Sequence, residues 1–427
     1  MRRFIIVAGA VILALAVGVA PAHATNGYFA HGYGTHYAGM AGSGAALSMN
    51  TMASATNPAA LAFLGKRFDV GVAVFKPNRF YTVTGNPSGF PGTFGLTPGT
   101  FESDNTTFFI PHLGANFDVG ENGAFGIAVY GNGGMNTDWP NAVFYAGNAG
   151  VDLSQMFVAP TYALRLADNH GLGVTAIGAV QWFQATGVGS FAPFSLAPDK
   201  LSDNGKSYSY GGGFRFGYMG NIAPFLSVGA SYQTKIWMSA FDKYSGLFAE
   251  QGDFDIPANW VIGIAIKPGE NFDIALDVQQ ILYSDVPAVS NPMMPALGFC
   301  MMQDPSGCMG ADRGPGFGWK DMTIIKGGVQ LRTGNGWSWR AGYSYGEQPI
   351  PDSEMLFNIL APGVIEQHLT AGFSKAFGTQ EVSFAVMRGL SKSISGPNPL
   401  DPPAAQQIEL EMDQWQFELS WGFGIGN

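Results

Sequence analysis

The most regular pattern in the chain lies at its C-terminal end. There Trp415, Phe417, Leu419, Trp421, Phe423 and Ile425 alternate with Gln414, Gln416, Glu418, Ser420, Gly422 and Gly424. A period of two puts the two sets on opposite faces of a strand. Phe272, Ile274, Leu276 and Val278 interleave in the same way with Asn271, Asp273, Ala275, Asp277 and Gln279. Trp260, Ile262, Ile264 and Ile266 share a face, and Val382, Phe384 and Val386 form a shorter row. In all, fourteen strand segments are predicted, near 66–84, 106–118, 123–137, 153–167, 171–187, 207–220, 224–241, 254–267, 271–285, 319–333, 336–349, 364–377, 381–394 and 407–425.

One-face-apolar strands suit a soluble sandwich as well as a membrane barrel, so the connections decide. Those after odd-numbered segments are long, at 85–105, 138–152, 188–206, 242–253, 286–318, 350–363 and 395–406. Those after even-numbered segments are short and carry turn residues, as in Gly120-Glu121-Asn122-Gly123 and Gly334-Asn335-Gly336. Long loops at one end and tight turns at the other are the layout of an outer-membrane barrel, with the turns in the periplasm. An even strand count returns both termini to that side. The expected fold is therefore all-β: a transmembrane antiparallel barrel of fourteen strands, closed because lipid offers no partner to an open sheet edge.

Composition sharpens this. Only 12% of the 427 residues are charged, 46% are hydrophobic, and 60 are glycine. Glycine is thus twice its usual share of about 7%, and intrinsic disorder, which needs charge and few apolar residues, is excluded. One long apolar run, Phe4 to Ala20, follows Arg2 and Arg3 and precedes Pro21 and Ala22-His23-Ala24. That order predicts a signal peptide over residues 1–24, cleaved after Ala24, with an N-terminal anchor as the alternative. Removing Arg2 and Arg3 from 21 basic residues leaves 19 against 31 acidic ones, a formal charge of −12. Such acidity argues against nucleic acid as a partner.

Residues 25–65 are small and Gly/Ala-rich, whereas 66–427 carry the strand pattern. A lumen walled by fourteen strands is too wide for one layer of side chains to fill, and the N-terminal segment is the natural plug. Trp139, Trp182, Trp237, Trp260, Trp319, Trp337, Trp339, Trp415 and Trp421 mostly fall near strand ends. That placement suits aromatic girdles at the two membrane faces, the alternative being ordinary core aromatics.

The chain also resembles the FadL-type outer-membrane transporters of long-chain fatty acids and aromatic hydrocarbons. The resemblance starts with Gly39-Met40-Ala41-Gly42-Ser43-Gly44-Ala45-Ala46 leading to Asn57-Pro58-Ala59, similar to that family's hatch and its NPA motif. It continues through Tyr130-Gly131-Asn132-Gly133-Gly134-Met135-Asn136-Thr137-Asp138-Trp139, Asp255-Ile256-Pro257-Ala258-Asn259-Trp260 and Trp319-Lys320-Asp321. Trp339-Arg340-Ala341-Gly342-Tyr343 and Pro349-Ile350-Pro351-Asp352 complete the set. The resemblance implies a hatch-plugged barrel in the bacterial outer membrane that takes up hydrophobic molecules. Capture by the long loops, binding in the lumen and sideways release into the bilayer at a kinked strand would follow. Asn132-Gly133-Gly134 marks the kink, since glycines inside a strand signal a bulge, and Asn57-Pro58-Ala59 is expected close to it. An early strand end is the alternative.

The long loops are apolar for an aqueous surface, notably at Phe90, Phe94, Phe191, Phe194 and Leu196, and over Met293-Met294-Pro295-Ala296-Leu297-Gly298-Phe299. Exposed apolar patches mark binding sites, so these residues are expected to capture substrate; packing of loop on loop is the alternative. Cys300 and Cys308, the only cysteines, lie in the fifth long loop. On an oxidising export route they are expected to form a disulfide, with a soft-metal site including Met301, Met302 and Met309 as rival. His31 and His36 lack the carboxylate or cysteine company of a metal site, so no metal or cofactor is expected. Nor does any nucleophile or acid/base spacing point to an enzyme. A monomer is expected, with a hydrophobic small molecule or fatty acid, outer-membrane lipid and the barrel-assembly machinery as partners. The competing functions are a general porin, a structural barrel and an outer-membrane hydrolase. The chain departs from such barrels in one respect: Phe423 is followed by Gly424-Ile425-Gly426-Asn427 rather than ending on an aromatic residue.

Overall fold

A computed structural model describes residues 26–425; the expected signal peptide and Ala24 lie outside them. Fourteen antiparallel strands form the wall: β1 (Arg67–Thr84), β2 (Phe108–Val119), β3 (Gly123–Asp138), β4 (Gly150–Ala167), β5 (His170–Thr186), β6 (Ser207–Ala223) and β7 (Leu226–Gln233), then β8 (Asn259–Gly269), β9 (Phe272–Ile281), β10 (Met322–Thr333), β11 (Trp337–Gly346), β12 (Gln367–Phe377), β13 (Gln380–Pro397) and β14 (Gln407–Gly424). Each pairs with its sequence neighbours, and β14 pairs with β1 from Arg67↔Gly424 to Thr84↔Gln407, which closes the barrel. Two short strands, Gly99–Glu102 on β1 and Trp237–Met238 on β6, lie beside the wall. No helix among the described residues is long and apolar enough to cross a membrane.

The period-two pattern is realised inside out. Along β14, Trp415, Phe417, Leu419 and Trp421 are exposed on the outer face, whereas Gln414, Glu418 and Ser420 are buried in the lumen. On β11, Trp339, Tyr343 and Tyr345 face out while Arg340 and Ser344 face in. In water this would be a destabilising surface; in hydrocarbon it is the favourable one.

Several boundaries differ from expectation. β7 ends at Gln233 rather than near 241, because the chain leaves the ladder there and Ile236 bridges Ile256 instead. β9 stops at Ile281 and β10 starts at Met322, which leaves Trp319 outside the strands. The tryptophans accordingly divide. Trp237, Trp339, Trp415 and Trp421 lie exposed, as a girdle requires, but Trp139 (0% accessible) and Trp319 (2%) are core residues. The Trp139 indole donates to the Ile359 carbonyl at 3.0 Å and that of Trp319 to Asn358 Oδ1 at 2.6 Å. A buried indole N–H needs such a partner.

Residues 26–65 are almost wholly buried. Two short 3-10 helices, Thr51–Ala55 and Pro58–Phe63, are capped by Asn50 and Asn57, whose side chains accept from Met52 N and Ala59 N. Each cap is worth roughly 1 kcal/mol. The segment is bonded to strands on every side of the barrel. Thr51 donates to Asp69 of β1, Thr35 to Glu418 of β14 and His36 contacts Glu381 of β13. On the opposite side Gly44 and Ala45 both donate backbone N–H groups to the Asp277 carboxylate of β9, at 2.8 and 2.9 Å. Lys326 Nζ of β10 donates to the His31 carbonyl at 3.0 Å. These lumen-facing polar groups, inexplicable in an empty pore, are the complement of the segment's unpaired backbone.

Candidate functional site

The wall is continuous except beside β3. The β2–β3 ladder runs from Val119↔Gly123 to His112↔Tyr130 and stops, although β2 continues to pair with β1 as far as Phe75↔Phe108. From Gly131 to Asp138, β3 keeps only its β4 neighbour, with a register shift between Gly131 and Gly133. Beyond the gap the chain rejoins: Asp104 N donates to the Asp138 carbonyl at 2.8 Å. The free edge of β3 is instead satisfied by the N-terminal segment. Ala30 N donates to the Asn132 carbonyl at 2.8 Å, and Gly134 N donates to that of Tyr28 at 2.9 Å. An unpaired edge inside a membrane is costly, and here residues 28–30 act as its substitute strand.

Side chains fix the kink. Tyr33 Oη donates to Asn132 Oδ1 at 2.9 Å, and Asn132 Nδ2 to Gln155 Oε1 at 3.0 Å. Gln155 passes the chain on to Gln181, which donates to the Phe254 carbonyl. Asn132 is thus fully buried with both ends of its amide used. A cavity of about 30 Å³ lies in the gap, lined by the apolar Ala73 and Ile110, by Gly131, Gly133, Ala30 and Tyr33, and by the polar His112, Gln416 and Glu418. Against the kink packs an aromatic cluster that sequence reasoning missed: Tyr28, Phe29, Phe254, Tyr283 and Trp319. Ring centroids in it are 5.3 Å apart for Tyr28–Tyr283 and 5.1 Å for Tyr283–Trp319. Nothing in the local sequence brings Tyr28 and Tyr283 together; only barrel closure does.

Asn57-Pro58-Ala59 lies elsewhere, which corrects the expected proximity to Asn132-Gly133-Gly134. Asn57 Nδ2 donates to the carbonyls of Ala45 and Tyr218, and Pro58 packs on Gly173 of β5 and Gly217 of β6. The motif thus secures the lower part of the segment, and Tyr28 to Tyr33 meet the kink.

At the long-loop end, Phe191 is buried at a hub. Its ring stands 5.3 Å from Phe94, 5.4 Å from Phe144 and 5.2 Å from Phe357. With Val151, Phe183, Phe248, Phe317 and Leu360 it lines an apolar cavity of about 40 Å³. Phe94 and Phe194 pack on the same core, whereas Phe90 (62% accessible) and Leu196 (52%) project outward. Loops pack on one another here as well: Leu196 N donates to the Met309 carbonyl and Met309 N to that of Phe194. Cys300 and Cys308 are joined in a disulfide within the fifth loop. No group of three potential metal ligands occurs among the described residues.

A closed fourteen-strand barrel, apolar without and filled within, defines an outer-membrane transport protein. The chain belongs to the family described as outer membrane protein transport protein (OMPP1/FadL/TodX), which it matches over residues 13–382. Among solved structures, the fold is similar to that of the P. putida toluene transporter TodX, with a TM-score of 0.66 and 16% identity over 93% of this chain and 99% of that one. It is likewise similar to the Ralstonia pickettii toluene transporter TbuX (TM-score 0.62, 18% identity, 93% and 99% covered). A Pseudomonas aeruginosa FadL homologue gives a TM-score of 0.69 at 14% identity, with 94% and 100% covered. No curated protein sequence matches the chain.

Proposed function

We propose that the protein takes up hydrophobic molecules, either long-chain fatty acids or hydrocarbons such as monoaromatics, and releases them sideways into the bilayer at the β3 kink. The observation that carries this is the interrupted β2–β3 ladder, whose free edge is held by Tyr28 to Ala30 rather than by strand. Cargo enters the apolar cavity beneath Phe191, moves past the Tyr28–Tyr283–Trp319 cluster, and leaves through the gap between Ile110 and Gly133. The first two stages exchange one apolar surface for another, so cargo stays shielded from water until the gap, where Ile110 and Ala73 share the lining with His112, Gln416 and Glu418. Residues 25–65 serve as the hatch and 66–427 as the barrel, after export directed by residues 1–24. The protein acts as a monomer without catalytic chemistry.

The neighbours named as toluene transporters support the hydrocarbon branch of this reading; the fatty-acid branch rests on the sequence resemblance. Deletion of Asn132 tests the exit. It removes the extra residue at the register shift, which lets β3 continue its pairing with β2. Uptake of labelled toluene and oleate by cells carrying the variant is expected to fall at least tenfold, with the barrel still showing heat-shifted gel migration. Unchanged uptake of both would overturn lateral release.

A further inference from the structure

Below the N-terminal segment, at the short-turn end of the barrel, lies a cavity of about 400 Å³ that no step of the uptake route uses. Its charged walls come from β8, β9, β10, β11 and β13. The acids there are already committed. Glu381 is held by Arg67 at 2.7 Å and by His36 at 2.8 Å, and Asp273 by Arg332 at 2.5 Å. Two cations are not. Arg340 is buried at 6% accessibility and makes no ion pair among the described residues. Its Nε donates to Gln330 Oε1 at 2.7 Å and its Nη1 to Ser374 Oγ at 2.6 Å, both neutral acceptors, while its Nη2 has no hydrogen-bond partner among the described residues. Lys267 lines the same cavity with no partner for its Nζ among the described residues.

Glu381 lines the same cavity and attracts Arg340, but its carboxylate is bonded directly to Arg67 and His36. A buried guanidinium with no anion in direct contact is expensive, since neutral acceptors offset only part of its lost hydration. Here the side chain is oriented by Gln330 and Ser374 with its remaining donors turned to an open space. The other wall of that space is apolar, formed by Leu47, Met49, Phe63 and Met219. A planar guanidinium fork suits a two-oxygen anion.

We propose that this periplasmic cavity is a binding site for an anionic amphiphile. Its oxyanion head sits on Arg340 and Lys267, and its short apolar part lies along Met49, Phe63 and Met219. The head is a carboxylate, as on an acid released into the periplasm, or a phosphate, as on an inner-leaflet lipid. The site is independent of the uptake route, for it stands on the opposite side of the N-terminal segment from the Phe191 cavity.

The test uses the full-length protein in non-ionic detergent with Ser338→Cys, which puts one free thiol in the cavity wall because the native cysteines are bonded. Octanoate, octyl phosphate and octanol are compared for protection of that thiol against a maleimide. Octanoate or octyl phosphate is expected to protect at a concentration at least tenfold below octanol, and the better of the two identifies the head group. Arg340→Gln should raise the half-protecting concentration about tenfold, and Arg340→Lys should restore most of it. If Arg340→Gln fails to show heat-shifted migration, Lys267→Gln takes its place, with a shift of about threefold expected. Equal protection by octanol, no protection by either anion, or a folded variant that protects like the parent would overturn the proposal. None of these outcomes bears on toluene or oleate uptake, which the Asn132 deletion tests separately.

Discussion

The Gly134 amide donates to the Tyr28 carbonyl at 2.9 Å, across a sequence separation of more than a hundred residues. One residue away, Gly133 presses so close that a Cβ there would lie 1.9 Å from that same carbonyl oxygen. The kinked strand and the N-terminal segment are therefore fitted to one another by the absence of a side chain. Gly133→Ala is expected to drive them apart at a cost of about 1–3 kcal/mol, the usual penalty of overpacking. Hydrogen exchange should show the Ala30 and Gly134 amides losing roughly tenfold or more in protection, and a variant with parental protection at both would refute the fit.

Asp277 anchors the same segment from the far wall through Gly44 and Ala45. Asp277→Ala leaves two buried N–H groups without an acceptor, each costing about 1–3 kcal/mol. The segment should then fluctuate away from β9, and planar-bilayer recordings should show current bursts that the parent lacks. A silent Asp277→Ala barrel would mean that the remaining contacts suffice.

His31 makes the docking pH-sensitive. Burial, with His368 at 4.3 Å and Lys326 nearby, holds its pKa well below the usual histidine value of about 6.5. The docked segment therefore binds fewer protons than the undocked one between that lowered pKa and about 6.5. Docking is fully stable above about pH 6.5 and weakens as the pH falls below it, by at most about 1.4 kcal/mol per pH unit from this one group. Protection factors for residues 28–45 should drop between pH 7.5 and pH 5, and His31→Gln should reduce that dependence, with burial of His36, which lowers its pKa in the same direction, supplying the remainder.

The tryptophans give a test of the membrane face. Brominated lipids should quench Trp339, Trp415 and Trp421, which are exposed on the outer wall, but not Trp139 or Trp319. Phe replacement of the first three should remove most of the quenched emission, and replacement of the last two should leave it intact.

At the loop end, Phe191→Ala removes the ring shared by Phe94, Phe144 and Phe357. Toluene binding measured in detergent is expected to weaken at least fivefold, since a buried phenyl contributes several kcal/mol of apolar contact.

The barrel could be read from sequence because each membrane strand states its face locally: Trp415 to Phe423 alternate without reference to any distant residue. Turn chemistry did the same for the short connections. Boundaries failed where tertiary pairing overrode pattern, as after Gln233, whose continuation looks strand-like but bonds to Ile256 and to β6. Trp319 looked like an interface residue because aromatic residues near strand ends serve two purposes, and only its partner Asn358 distinguishes them. The gap between β2 and β3 was visible as Asn132-Gly133-Gly134, yet what fills it was not. Tyr28 carries no local mark of its role, and neither does Arg340, whose unpaired state depends on Asp273 of β9 and Glu381 of β13 being bonded to other cations.

Thr35 and His36 find their partners at Glu418 and Glu381, 383 and 345 residues further along. An exported chain delivers Thr35 and His36 first and those carboxylates last. These contacts of the N-terminal segment therefore cannot form until nearly the whole wall has been threaded, and loop closure over such distances is slow. Order of synthesis and order of docking run in opposite directions in this protein, so its earliest residues are the ones whose structure is completed at the end.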